Sequence, residues 1–233
     1  MSLRLAVFAS GSGTNLQALL DRFHGRADSP VRLVLVVSDR VRAGALERAR
    51  KAGIEAVVVP VAGRPIDYVA RELLAALESA DVDLIVLAGY LRLVPPAVVR
   101  HYRQRIINIH PALLPAFGGQ GMFGLRVHRA VIESGATVTG VTVHMVDEQY
   151  DEGRIIAQWP VPVLPGDSAE SLANRVLRVE HLLYPAAVEA LARALEQGSA
   201  TTRLGPQSPE ASYDYQLNAA PVGLAMRRAL GLG

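Results

Sequence analysis

Apolar and polar positions follow two alternating patterns through the first half of the chain. Near-continuous apolar runs at 5–9, 31–37, 56–59, 84–87 and 106–109 are short and rich in Val, Ile and Leu, as in strands buried on both faces. Between them, 15–23, 43–52, 66–79 and 95–102 read as amphipathic helices. Gly53 suits the end of the second helix, and Pro95-Pro96 the first turn of the fourth. A repeated strand–helix unit predicts a mostly parallel sheet covered on both faces, and right-handed crossovers make it doubly wound. The fold class is therefore α/β.

The pattern changes after residue 137. Positions 138–146 alternate apolar and polar residues over much of their length, and 155–163 form a second strand interrupted by Pro160 and Pro162. The acidic run ending at Asp151, followed by Gly153-Arg154, makes a turn between them, so this pair is expected as a hairpin or antiparallel addition to the sheet. A long helix follows over 168–197, capped by Asp167 or Ser168. Residues 199–233 are rich in Ser, Thr, Pro and Gly and are expected to be an irregular tail behind one domain spanning 1–198.

Composition narrows the class of function. Half of the 233 residues are hydrophobic and a fifth are charged, enough to fill a core and too apolar for a disordered chain. Basic and acidic residues number 24 and 22, for a net charge of +2, and no basic stripe points to nucleic acid. The chain has no cysteine, which excludes disulfides, thiolate zinc sites and a cysteine nucleophile. Six histidines are scattered without the close spacing of a structural zinc site. The most apolar stretch, 84–91, falls far short of the roughly 18 residues of a spanning helix. The apolar N-terminal run is too short for a signal peptide and leads into a glycine turn. A soluble, cytoplasmic protein is expected.

Two segments carry candidate chemistry. Ser10-Gly11-Ser12-Gly13-Thr14-Asn15 joins the first strand to a helix, where backbone N–H groups and the positive helix end can hold an anion. Leu16 stands where the dinucleotide fingerprint needs a third glycine, and no Gly-Lys-Ser/Thr follows. A small phosphate ester fits better than NAD or ATP; the alternative is a tight turn with no ligand. Asn108 and His110 end the fifth strand two residues apart, so their side chains share one face at the sheet end where ligands bind. An imidazole can exchange a proton there and a carboxamide can stabilise an oxyanion; alternatively, both are buried polar residues satisfied by backbone. His128 is expected on a helix in a solvated or capping role. His144 reads either as a satisfied core residue or as a partner to the site. The acidic turn Asp147-Glu148-Gln149-Tyr150-Asp151 is either solvated or folds Asp151 back to His110, raising its pKa. Leu114-Pro115 is a candidate cis bond.

Together these segments resemble the phosphoribosylglycinamide formyltransferase family, folate-dependent enzymes of purine synthesis with a Rossmann-like fold. The matching pieces are the run from Ala9 to Gln17, Leu87-Ala88-Gly89-Tyr90-Leu91-Arg92, Asn108-Ile109-His110-Pro111-Ala112-Leu113-Leu114-Pro115, Val143-His144 with Asp151 beyond, and Val179-Glu180-His181-Leu182-Leu183-Tyr184-Pro185. The resemblance implies that His110 is the general acid/base, Asn108 the hydrogen-bond donor to the formyl oxygen, and Asp151 the group that tunes His110. It places a ribonucleotide phosphate on Gly13, Thr14 and Asn15, and the ribose on Glu180 within Leu177, Arg178, Val179 and Glu180. The folate side is implied at Leu91, Arg92, Leu93, Val94, Asn108, Asp147, Glu148 and Asp151, with Arg64 beside them. The N-terminal half would bind phosphate and the C-terminal half would contribute to folate binding and catalysis. The implied co-substrate is 10-formyltetrahydrofolate and the acceptor glycinamide ribonucleotide. Partners would be small molecules, with no metal, nucleic acid or membrane, in a monomer or homodimer. The glycine-rich 118–124 loop is longer than in some members, like a mobile lid, and Arg154 stands where the family often has proline.

Rival readings are a formyltetrahydrofolate deformylase using the same Asn, His and Asp, a methionyl-tRNA formyltransferase, a nicotinamide-dependent oxidoreductase with Asp39 gripping an adenosine ribose, and a non-catalytic nucleotide-binding module.

Overall fold

The short apolar runs form strands in a computed structural model, which describes residues 2–198; the expected tail at 199–233 lies outside the described residues. The strands are β1 (Leu3–Phe8), β2 (Val31–Ser38), β3 (Glu55–Val58), β4 (Leu84–Leu87), β5 (Ile106–His110), β6 (Val138–Met145) and β7 (Ile155–Pro162). The helices are α1 (Thr14–Phe23), α2 (Gly44–Lys51), α3 (Ile66–Ser79), α4 (Pro96–His101), α5 (Leu125–Glu133) and α6 (Ala169–Glu196). The sheet order is β3-β2-β1-β4-β5-β6-β7. The pairs β1–β2, β1–β4, β2–β3 and β4–β5 are parallel, whereas β6 and β7 are antiparallel, as the alternation of 138–146 predicts. The chain winds outward from β1 to β3 and returns to the other side of β1 at β4. Such a reversal opens a crevice at the carboxyl ends of the strands.

The described residues fall into two compact units, 2–108 with Met145–Gln149, and Ile109–His144 with 150–198. In the first, the alternating residues Ala6 and Phe8, Leu35 and Val37, and Ile85 and Leu87 share a core with Val69, Leu73 and Leu77 of α3 and Val98 of α4. Burying each larger aliphatic side chain contributes about 1.5–3 kcal/mol, which is why the period-2 pattern of each strand fixes its register. α2 packs on β2 and β3, burying Ala45, Leu46 and Ala49.

In the second unit, α6 packs against α5 and β7. Ser168 caps α6 in a reciprocal box with Ser171. The Arg175 guanidinium donates to both oxygens of Asp167, at 2.6 and 2.8 Å, and holds that carboxyl well below its usual range. The antiparallel hairpin closes tightly at Gly140. A Cβ built there would collide with the Trp159 carbonyl oxygen across the ladder and with Leu113. Gly140→Ala is therefore expected to lower the urea midpoint, by the equivalent of about 1–3 kcal/mol for an overpacked buried position. An unchanged midpoint would contradict this packing.

Candidate active site

The turn between β1 and α1 builds the anion-binding candidate of the first unit. Gly13 immediately precedes α1 in the left-handed conformation, with φ 74° and ψ 34°. A Cβ there would stand 2.7 Å from Ala45 Cα, so backbone angle and the approach of α2 both require glycine. At Gly11 such an atom would meet nothing within 4 Å, so the backbone there faces open space. No side chain caps the start of α1 and its first turn carries no acid, which leaves the helix's positive end open to an anion. Arg48 braces the loop, donating to the Ser12 carbonyl at 2.9 Å and to Gln17 Oε1 at 2.8 Å. Thr14 is half-buried and Asn15 buried.

Ser10 ties this loop to the segment after β4. Its N–H donates to the Gly89 carbonyl at 3.0 Å, and its hydroxyl oxygen accepts from Leu91 N–H at 2.9 Å. Arg92 Nε then donates to Asp39 Oδ2 at 2.9 Å, and the Asp39 side chain is only 1% exposed. Asp39 is thereby removed as the open carboxylate that a nicotinamide cofactor's ribose would need. Leu93 is half-buried and Val94 buried beyond this anchor.

Asn108 lies half-buried on β5, two residues before the buried His110. In the second unit, His110 Nε2 is 2.8 Å from the Phe117 carbonyl and Nδ1 is 3.5 Å from Asp151 Oδ2. Asp151 also takes the Gly119 N–H at 2.9 Å, and its other oxygen lies 3.4 Å from His144 Nε2. Phe117 and Asp151 both hold left-handed backbone angles, φ 57° and 58°; Asp tolerates this region better than a bulky aromatic residue. The loop is anchored from below: Leu114 N–H donates to Thr142 Oγ1 at 3.0 Å, and Gln158 donates to the Leu114 carbonyl at 2.9 Å. The Leu114–Pro115 bond is cis.

The charges compete. Burial pushes His110 down, Asp151 and the Phe117 carbonyl pull it up, and His144 pushes it down again; the net direction is below the usual histidine value. The expected rise is thus reversed, because desolvation of a buried imidazolium outweighs one neighbouring carboxylate. A neutral ring carries one N–H and can serve only one of its two acceptors, whereas the imidazolium serves both. For Asp151, burial would raise the carboxyl, but the His144 bond, the nearby His110, the Gly119 N–H and the His144 charge together hold it below its ordinary value.

His128 corrects a second expectation. It is 4% exposed on α5, not solvated, and burial, with the His110 charge added, pushes it down to about 4. An accessible cavity of about 490 Å³ opens beside Asp151, lined by Leu114, Pro115, Gly119, Tyr150 and Ile155 among others, a size suited to a small ligand. The remaining candidates lie on other elements. On α6, Val179 and Glu180 are buried, Leu177 is partly so and Arg178 is exposed. Arg64 is engaged locally by Glu72 at 2.8 Å, by the Pro60 carbonyl at 2.9 Å and over the Tyr68 ring at 4.9 Å. Asp147 accepts from Gln149 N–H at 2.9 Å, and Glu148 pairs with Arg100 at 3.2 Å.

Two contributors escape motif reading: the Phe117 carbonyl and the Gly119 N–H. His144 takes the second of its two readings, a partner to the site through Asp151, as an ionisable residue in a buried strand must find one. Among the described residues, no group of three or more His, Asp or Glu could hold a metal ion, and no helix is long and apolar enough to cross a membrane.

Comparison with known proteins places these features in context. A formyl transferase family model matches residues 3–188. The chain is 47% identical over 192 residues to the chloroplastic phosphoribosylglycinamide formyltransferase of Arabidopsis thaliana, covering 81% of this chain and 65% of that protein. It is 38% identical over 185 residues to the phosphoribosylglycinamide formyltransferase of Escherichia coli K12, covering 78% and 84%. The crystal structure of glycinamide ribonucleotide transformylase 1 from Symbiobacterium toebii superposes with a TM-score of 0.76 at 44% identity, covering 83% of this chain and 89% of that one. The chain thus spans just under two thirds of the Arabidopsis relative's length.

The competing influences on His110 give a testable sign. By NMR, its ring is expected to titrate below the free-histidine midpoint of about 6.5, and lower still in Asp151→Asn, which removes the upward pull of the carboxylate. A midpoint that rises in Asp151→Asn would contradict this reading.

Proposed function

The chain belongs to the formyl transferase family, and from that membership we propose that it transfers the formyl group of 10-formyltetrahydrofolate to the amino group of glycinamide ribonucleotide in purine biosynthesis. The observation that carries this reading is the buried His110 at the end of β5, with Asp151 3.5 Å from its Nδ1 and Asn108 two residues before it on the same strand. The Arabidopsis and Escherichia coli relatives bear the name of this activity.

In the proposed reaction the ribonucleotide amine attacks the formyl carbon, and negative charge gathers on the formyl oxygen. The Asn108 amide donates a hydrogen bond to that oxygen, an interaction that strengthens as the charge develops. His110 enters neutral, as its burial favours, and takes the proton that the attacking nitrogen loses. Asp151 stabilises the imidazolium so formed. As the bond from the formyl carbon to folate N10 breaks, His110 returns the proton to N10 and tetrahydrofolate leaves. In this cycle Nδ1 keeps Asp151, while Nε2 exchanges the Phe117 carbonyl for substrate.

The ribonucleotide phosphate sits on Gly13, Thr14 and Asn15 at the start of α1, and Glu180 takes a ribose hydroxyl from within Leu177, Arg178, Val179 and Glu180. The folate side uses Leu91, Arg92, Leu93 and Val94 with Asp147, Glu148 and Asp151. Arg64 joins it only by giving up Glu72.

Asn108→Ala and His110→Ala are each expected to lower kcat by about two orders of magnitude or more, the range for an oxyanion donor or acid/base group, in variants that melt as wild type does. Turnover near wild type in either variant would remove that residue from the mechanism.

A further inference from the structure

Asp39 is a buried carboxylate whose pairing with Arg92 joins two loops at little net gain in stability. Its Oδ2 accepts from Arg92 Nε at 2.9 Å and lies 3.8 Å from Arg40 Nε. Its Oδ1 is buried with no hydrogen-bond partner among the described residues. A buried ion pair forfeits hydration of both charges, and an unsatisfied oxygen adds to that loss, so the link adds little net stability. What the contact accomplishes is orientation. The carboxylate takes Nε, leaving the two terminal nitrogens of Arg92 unpaired among the described residues on a side chain that is 39% exposed. Four of the five guanidinium donors therefore remain for another partner, in the planar fork that grips a carboxylate through two parallel bonds. Leu91, the preceding residue, is fixed to Ser10 at 2.9 Å, so both backbone and side chain of Arg92 are held.

We propose that Asp39 is a positioning residue for the formyl donor: by holding Arg92 Nε it aims the terminal guanidinium nitrogens at a carboxylate of the donor's glutamyl tail. This rests on the folate-side assignment of Arg92 made above. A lysine in place of Arg92 would keep the charge but lose both the Nε anchor and the fork.

The test is calorimetric binding of tetrahydrofolate and of tetrahydropteroate, which lacks the glutamyl tail, to the full chain. Wild type is expected to prefer tetrahydrofolate. Asp39→Asn, which keeps the shape and loses the charge, should weaken tetrahydrofolate about tenfold, the scale of one charge-assisted contact, and leave tetrahydropteroate unchanged. Arg92→Lys should lose the same preference, and the double variant should lose nothing more. Equal weakening of both ligands in Asp39→Asn would mark a merely structural role and overturn the proposal. So would wild-type affinity for tetrahydrofolate in that variant when Arg92→Lys has lost the preference; the folate-side assignment of Arg92 would then survive alone. A wild type that binds both ligands equally would overturn the Arg92 assignment and this inference with it, while transfer to the ribonucleotide could still be observed.

Discussion

Asp151 is a carboxylate with an 11% exposed side chain, and its need for partners organises the chemistry of the second unit. Taking a carboxylate out of water is tolerated only where donors replace the lost hydration. Here His110, His144 and the Gly119 N–H converge on its two oxygens. Meeting that demand fixes the imidazole plane of His110, draws in the loop after β5 and explains why β6 carries a histidine among apolar neighbours. The same burial works against a charged His110. The outcome is a neutral imidazole beside an ionised carboxylate, ready to gain a proton and stabilised once it has done so.

The first unit solves a different problem. Parallel strands end together at one edge of the sheet, and their following loops must be held in register there. Ser10 joins the loop after β1 to the segment after β4, and the Asp39–Arg92 pair joins the loop after β2 to that same segment. Three strand ends are thereby linked by short polar contacts above an apolar core. The glycine turn at the start of α1 is held from the side by Arg48. An open helix start on a fixed loop suits the anion site proposed for it, because little loop ordering remains to oppose binding.

Much of this was legible in the residues, for physical reasons. Buried parallel strands must be apolar throughout, so 84–87 and 106–109 declared themselves, and the alternation in 138–146 marked the antiparallel pair. The polar pair Asn108 and His110 stood out because both interrupt an otherwise apolar run at the end of β5. His128 was misread although a signal existed: Val127, His128 and Val131 are all buried on α5, a spacing that puts the histidine on the apolar face. The drop in His110 pKa depends on how much water the fold excludes, which no motif encodes. Asp39 with Arg92 is a tertiary pairing that periodicity cannot announce, and the Phe117 carbonyl belongs to backbone that any residue would supply.

The most direct measurement is tetrahydrofolate release from 10-formyltetrahydrofolate by the purified chain, with and without glycinamide ribonucleotide. Release that depends on the ribonucleotide, with formyl recovered on its amine, is the expected result. Equal release in its absence would mean that water is the acceptor, and would contradict both the transferase reading and the assignment of the α1 loop to the ribonucleotide phosphate.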